Sequence, residues 1–222
     1  MIDPTTIDTT IYIGNLAIHQ PVTVFTSYLI FGLCFYFYLQ LKRIKNVNSS
    51  TSNWGRFFLM IGLASFVGSF AHAFFAVHEG LGYKLFWLSM QALNIFSVYF
   101  AQQATLNSAL QNSVQKNFWK LSYDIQLILF FSAVFIFHNF LVVVVDGVIG
   151  MIPIMVIHFM DSKKVKESSW IAYGIVILFL SAIVNITKFS LHAYFNHLDI
   201  AHVLVMINLW MMFVGVKRKA IS

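Results

Sequence analysis

The sequence predicts an all-α integral membrane bundle of seven transmembrane helices, with the N-terminus outside and the C-terminus cytoplasmic. Three observations carry that expectation. Hydrophobic residues make up 59% of the chain and charged residues only 10%, far from the balance of a soluble globular domain. Seven stretches reach the roughly 20 apolar residues that a hydrocarbon core of about 30 Å requires. The lysines and arginines gather in the connections on one side of those stretches.

Taken in order, residues 1–19 read as a polar outer leader that carries Asp3 and Asp8 in place of a basic n-region. No small-residue cleavage site closes the first apolar stretch, so a removable signal peptide is not expected. The helices are expected at 21–41, 54–77, 83–105, 118–137, 140–159, 169–191 and 198–216. Pro21 suits a first helical turn, and Pro153 is tolerable inside the fifth helix because neighbours can satisfy the freed carbonyl, with a kink. Residues 46–53 form a Ser/Asn/Thr-rich loop. The other connections are short and no internal repeat is visible, so residues 1–222 read as a single domain whose sequential helices pack as neighbours.

Lys42, Arg43, Lys45 and Arg56 flank the first connection, Lys116 and Lys120 the third, Lys163, Lys164 and Lys166 the fifth, and Lys217, Arg218 and Lys219 begin a basic tail at 217–222. An odd helix count puts all of them on one side, which the positive-inside rule makes cytoplasmic. Lys84 and Lys188 stay on the other. Orientation therefore accounts for the formal net charge of +6, and no nucleic-acid partner is expected. Trp54, Trp119 and Trp170 open helices at the cytoplasmic interface, as anchors do. The single cysteine, Cys34, excludes a disulfide framework and a thiolate zinc cluster.

Ionisable side chains at membrane depth are costly, and by default they mark a functional site. His72 stands near the outer end of helix two and His202 near the outer end of helix seven, at similar depth. Ser65, Gly68 and Ser69 precede His72 at helical spacing, and Asp199 shares a face with His202. His197 contributes to the same place only from a non-helical approach to helix seven. Glu79 follows helix two. Two imidazoles with oxygen ligands nearby suit Zn²⁺, with His197 or Asp199 as third ligand and an open position for water. Asp146, in the outer half of helix five, either pairs with Lys188 or orients a ligating histidine. Asp124 reads as an interfacial carboxylate.

The runs Gly68-Ser69-Phe70-Ala71-His72 and His197-Leu198-Asp199-Ile200-Ala201-His202 resemble the helix-two and helix-seven motifs of the CREST superfamily, the seven-helix hydrolases that include the alkaline ceramidases and the adiponectin-receptor-like (PAQR) proteins. Gly68 stands where that superfamily places its serine, and Leu198 where it places the first helix-seven histidine. The stretch from Phe195 is also similar to bacterial seven-helix proteins carrying Asn-His-x-Asp-Ile-x-His, which implies a divergent branch and a multi-pass protein of a bacterial inner membrane. The resemblance implies a zinc-dependent hydrolase acting on a lipid amide or ester that enters from the outer leaflet. His72, His202 and His197 would hold the metal, which turns bound water into a nucleophile. Asp199, Glu79 or Asp146, in that order, would take its proton, and Ser69 or Ser65 would donate to the developing oxyanion. The alternative is a receptor or sensor that binds a small or lipid ligand at the same polar cluster and breaks no bond.

Overall fold

A computed structural model describes residues 9–45, 47–75, 80–109, 113–192 and 195–221. Seven helices follow a short hairpin: β1 (Thr10–Ile13), β2 (Leu16–His19), α1 (Pro21–Lys42), α2 (Ser49–Phe75), α3 (Leu81–Ala109), α4 (Ser113–Phe137), α5 (Leu141–Asp161), α6 (Ser168–Thr187) and α7 (His197–Ile221). All except α3 are long and apolar enough to cross a membrane, the pattern of a multi-pass membrane protein.

Differences from the expected boundaries have local causes. The polar stretch at 46–53 is largely the first turns of α2, because Asn48 Oδ1 accepts from Thr51 N at 2.8 Å and caps the helix. Helix α6 stops at Thr187 instead of continuing to 191, because Lys188 takes a left-handed conformation (φ 54°) at its C-cap. The basic tail continues α7 as far as Ile221. Part of the leader, described from Thr9, is an antiparallel hairpin in which Thr10 pairs with His19 and Ile13 with Leu16 around Gly14, whose φ is 61°.

Sequential helices pack as neighbours, and contacts of α1 with α7 and of α3 with α5 close a ring of α1, α2, α3, α5, α6 and α7. Helix α4 lies outside that ring against α3 and α5, and few of its residues are buried. Helix α3 differs in kind. It buries Gln91, Ser97, Gln102, Gln103 and Thr105, so the amides that lower its apolarity face protein. Gln102 Nε2 donates to Gln126 at 2.9 Å and Gln126 Nε2 donates to Asp146 Oδ1 at 2.7 Å, a polar ladder joining α3, α4 and α5. Gly150 allows this close approach, since a Cβ there would stand 2.3 Å from Val98 Cγ1. The main apolar core occupies the middle of the ring, where Phe37 and Phe213 stack at 4.1 Å with Phe58 against their edges.

Candidate functional site

The starts of α1, α3, α5 and α7 and the ends of α2 and α6 surround a cavity of about 280 Å³. Its wall is mostly apolar, and both His72 and His202 line it. Helices far apart in sequence therefore bring the two imidazoles to one space, each half-buried.

The first turns of α1 set the two rings. Gln20, Thr23 and Thr26 stand three residues apart and form a buried polar stripe on an otherwise apolar helix. His72 Nδ1 lies 2.6 Å from Gln20 Oε1. That oxygen only accepts, so Nδ1 carries the proton and Nε2 keeps its lone pair. Thr26 Oγ1 donates to the carbonyls of Val22 and Thr23, and His202 Nδ1 lies 2.8 Å from it. With the single hydroxyl hydrogen on either carbonyl, His202 Nδ1 donates to Thr26 Oγ1 and its Nε2 keeps a lone pair. Neither Nε2 has a partner among the described residues. Gln20 adopts a left-handed backbone (φ 48°), an unusual conformation for a residue with a side chain, at the junction of hairpin and helix.

Other polar groups complete the wall. Asn208 Oδ1, from α7, is a buried acceptor without a partner among the described residues. Ser65 and Gly68 line the cavity too. Ser69 is fully buried beside it, and its hydroxyl donates to Phe66 O at 2.6 Å.

The remaining expected site residues lie elsewhere. Asp199 accepts from Thr23 Oγ1 at 2.7 Å and, through Oδ2, from Asn196 N at 2.9 Å. Leu198 N in turn donates to Asn196 Oδ1 at 2.8 Å. Asn196 and Asp199 thus form a reciprocal capping box at the start of α7. His197 is the first residue of that helix and is buried outside the cavity wall. Asp146 is bonded to Gln126, and not to Lys188 as one reading of the sequence had it, because Gln126 projects from α4 onto the carboxylate while Lys188 caps α6 in an exposed position. Its Oδ2 has no partner. Asp124 accepts from Tyr99 Oη at 2.8 Å. Glu79 lies outside the described residues. Among the described residues, no three His, Cys, Asp or Glu side chains come together as a metal-holding group.

Sequence reasoning passed over Gln20, Thr23 and Thr26. Their signal was present, because polar residues spaced by three on an apolar helix mark a face that meets protein. The profile of a family of unknown function matches residues 22–221. No curated protein and no solved structure matches the chain.

Proposed function

The chain belongs to DUF6962, a family of unknown function, and we propose that this protein spans the membrane seven times and binds an amphipathic, hydrogen-donating molecule in its histidine cavity. The observation that carries this is the pair of imidazoles whose Nδ1 atoms are tied to Gln20 and Thr26, leaving both Nε2 lone pairs for a ligand. Asn208 Oδ1 adds a third acceptor in the same wall. An apolar cavity with a few convergent acceptors suits a long-chain alcohol or an N-acyl amide, its hydroxyl or amide group at the histidines and its chain along the core. The orientation proposed is N-terminus outside, since the connections carrying most of the basic residues lie at the opposite end from this cavity.

The test is binding of a fluorescent long-chain N-acyl amino alcohol to detergent-purified protein. His72→Ala and His202→Ala should each weaken binding about tenfold, or about 1.4 kcal/mol. Undiminished binding in the double variant rules the site out.

The tethered Nδ1 atoms also support the zinc hydrolase reading, because metal-ligating histidines usually donate their other ring nitrogen to an oxygen. His72 and His202 would hold the ion through Nε2. Neither His197 nor Asp199 reaches the cavity wall, and both oxygens of Asp199 are engaged, so the other positions would fall to solvent or substrate. Zinc content by plasma mass spectrometry separates the readings. About one zinc per chain, lost in both histidine variants, favours the hydrolase; ligand binding without zinc favours the receptor.

A further inference from the structure

A second cavity, of about 320 Å³, lies at the opposite end of the bundle, between the starts of α2 and α6 and the ends of α3, α5 and α7. Hydroxyls and amides dominate its wall where the first is apolar. Ser49, Ser50 and Thr51 come from the first turn of α2, Asn107 and Ser108 from the last turn of α3, and Lys219 from α7.

Two independent features point to a ligand here. The first is α2, a helix of 27 residues that presents its N-terminus to this space. Its cap satisfies Thr51 N through Asn48 Oδ1 and Ser52 N through Asn48 O, while the N–H groups of Ser49 and Ser50 have no partner among the described residues. The second is His158, which is 1% exposed and forms part of the wall. Its Nε2 stands 3.4 Å from Thr105 Oγ1, a weak contact, and its Nδ1 has no partner among the described residues. Buried polar atoms in folded proteins nearly always acquire a partner.

Charge decides the kind of ligand. Of the 14 lysines and arginines, all but Lys84 and Lys188 lie in the connections or the helix ends on this side. Lys219 Nζ sits at the edge of the cavity, held by Asp161 and by Ser168 Oγ. Free N–H groups at a helix N-terminus together with an ammonium group favour an anion with several acceptor oxygens.

We propose that this second cavity binds a phosphate group, with the Ser49 and Ser50 N–H groups and Lys219 on its oxygens, and that the His158 ring, buried at the wall, turns Nδ1 onto the bound group. The phosphate belongs either to a small soluble molecule or to a lipid headgroup at the membrane surface. The site is independent of the histidine cavity at the other end, so the two proposals stand or fall separately.

The experiment uses the full chain in an uncharged maltoside detergent, titrated with inorganic phosphate and, separately, with dioctanoyl phosphatidate in chloride buffer. Saturable binding is read by calorimetry and by the rise in unfolding midpoint. Lys219→Gln and Ser49→Pro should each weaken binding tenfold or more. Proline is tolerated at the first helical position and removes only that N–H, so Ser49→Pro retains the fold. His158→Ala should abolish the response, and His158→Asn should restore part of it, because its amide places a donor near the position of Nδ1. His72→Ala should leave it unchanged. A response to phosphatidate alone assigns a lipid headgroup, and a response to both probes assigns the phosphate group itself. Absence of saturable binding to either probe, or unchanged affinity in both Ser49→Pro and Lys219→Gln, overturns the proposal.

Discussion

His72 and His202 at one end of the bundle and His158 at the other face interior space under different constraints. The first two have Nδ1 held at 2.6 and 2.8 Å by Gln20 and Thr26, so each ring turns a fixed face to the cavity. His158 is the more deeply buried, and the one polar approach to its ring among the described residues is the 3.4 Å contact with Thr105. The first cavity is therefore set in advance by a stripe on α1, and the ligand proposed for it would meet histidines already oriented. The second leaves a buried polar atom unmet among the described residues, a deficit that the proposed phosphate would relieve. Burial alone does not distinguish a working histidine from a packed one; the partner of its second nitrogen does.

The change that should disturb this contrast most is Asp199→Ala. It leaves the buried Thr23 hydroxyl and the Asn196 N–H without their acceptor and dissolves the capping box of α7. At about 1–3 kcal/mol for each orphaned group, a loss of about 3 kcal/mol is expected in thermal or denaturant unfolding in detergent. Asp199→Asn keeps an oxygen for Thr23 and should lose about half as much. Were Asp199 instead the proton acceptor of a hydrolase, the asparagine variant would lose turnover at little cost in stability.

Next in size is Gly150→Ala, which sharpens the role of α3 as the wall behind the first cavity. The added Cβ would stand 2.3 Å from Val98 Cγ1 and 3.0 Å from Gln102 Nε2, so α3 and α5 must part and the amide ladder to Asp146 must loosen. About 2 kcal/mol of destabilisation follows from overpacking of this kind, measurable by the same unfolding curves. A loss below 0.5 kcal/mol would mean that the two helices slide freely there.

Much of this architecture was legible in the sequence, and what escaped has identifiable causes. The apolar runs placed all seven helices to within a few residues, because in a membrane length and hydropathy leave little else to do with such segments. Helix α3 was counted with the rest, yet it buries glutamines and serines against its neighbours, and apolarity alone cannot tell an amide that faces protein from one at a helix end. The hairpin was missed although Ile11, Ile13 and Ile18 flank the Gly14-Asn15 turn, since a charged leader drew attention from the β-branched alternation beside it. His72 and His202 were expected at similar depth, and both line one cavity. Asp199 was read by its proximity to His202, whereas the spacing Asn196-x-x-Asp199 before an apolar run is itself a cap signal.

A smaller effect should come from Thr26→Val, which keeps the shape of the side chain and removes the oxygen that His202 Nδ1 meets. The ring is then free to turn or to change tautomer. Binding of the acyl amino alcohol should fall about threefold to tenfold, while the unfolding midpoint moves little, because the lost hydrogen bond contributes about 1 kcal/mol net. The backbone carbonyls of Val22 and Thr23 that the hydroxyl also contacts already serve the helix ladder of α1.

The smallest change in stability, and the most discriminating, should be Gln20→Gly. Gln20 holds a left-handed backbone at φ 48°, a conformation that glycine adopts without strain, and its side chain accepts from His72 at 2.6 Å. Replacing it relieves about 1 kcal/mol of strain and removes a hydrogen bond of similar net strength, so folding stability should stay within about 0.5 kcal/mol of the wild type. Affinity in the histidine cavity should nevertheless fall several-fold, because His72 loses the acceptor that fixes its tautomer. Phosphate binding at the far end should not change. A variant that keeps both its stability and its ligand would show that Gln20 serves only as the hinge between hairpin and helix, and that the orientation of His72 comes from packing against Trp87, whose ring lies edge-on at 6.5 Å.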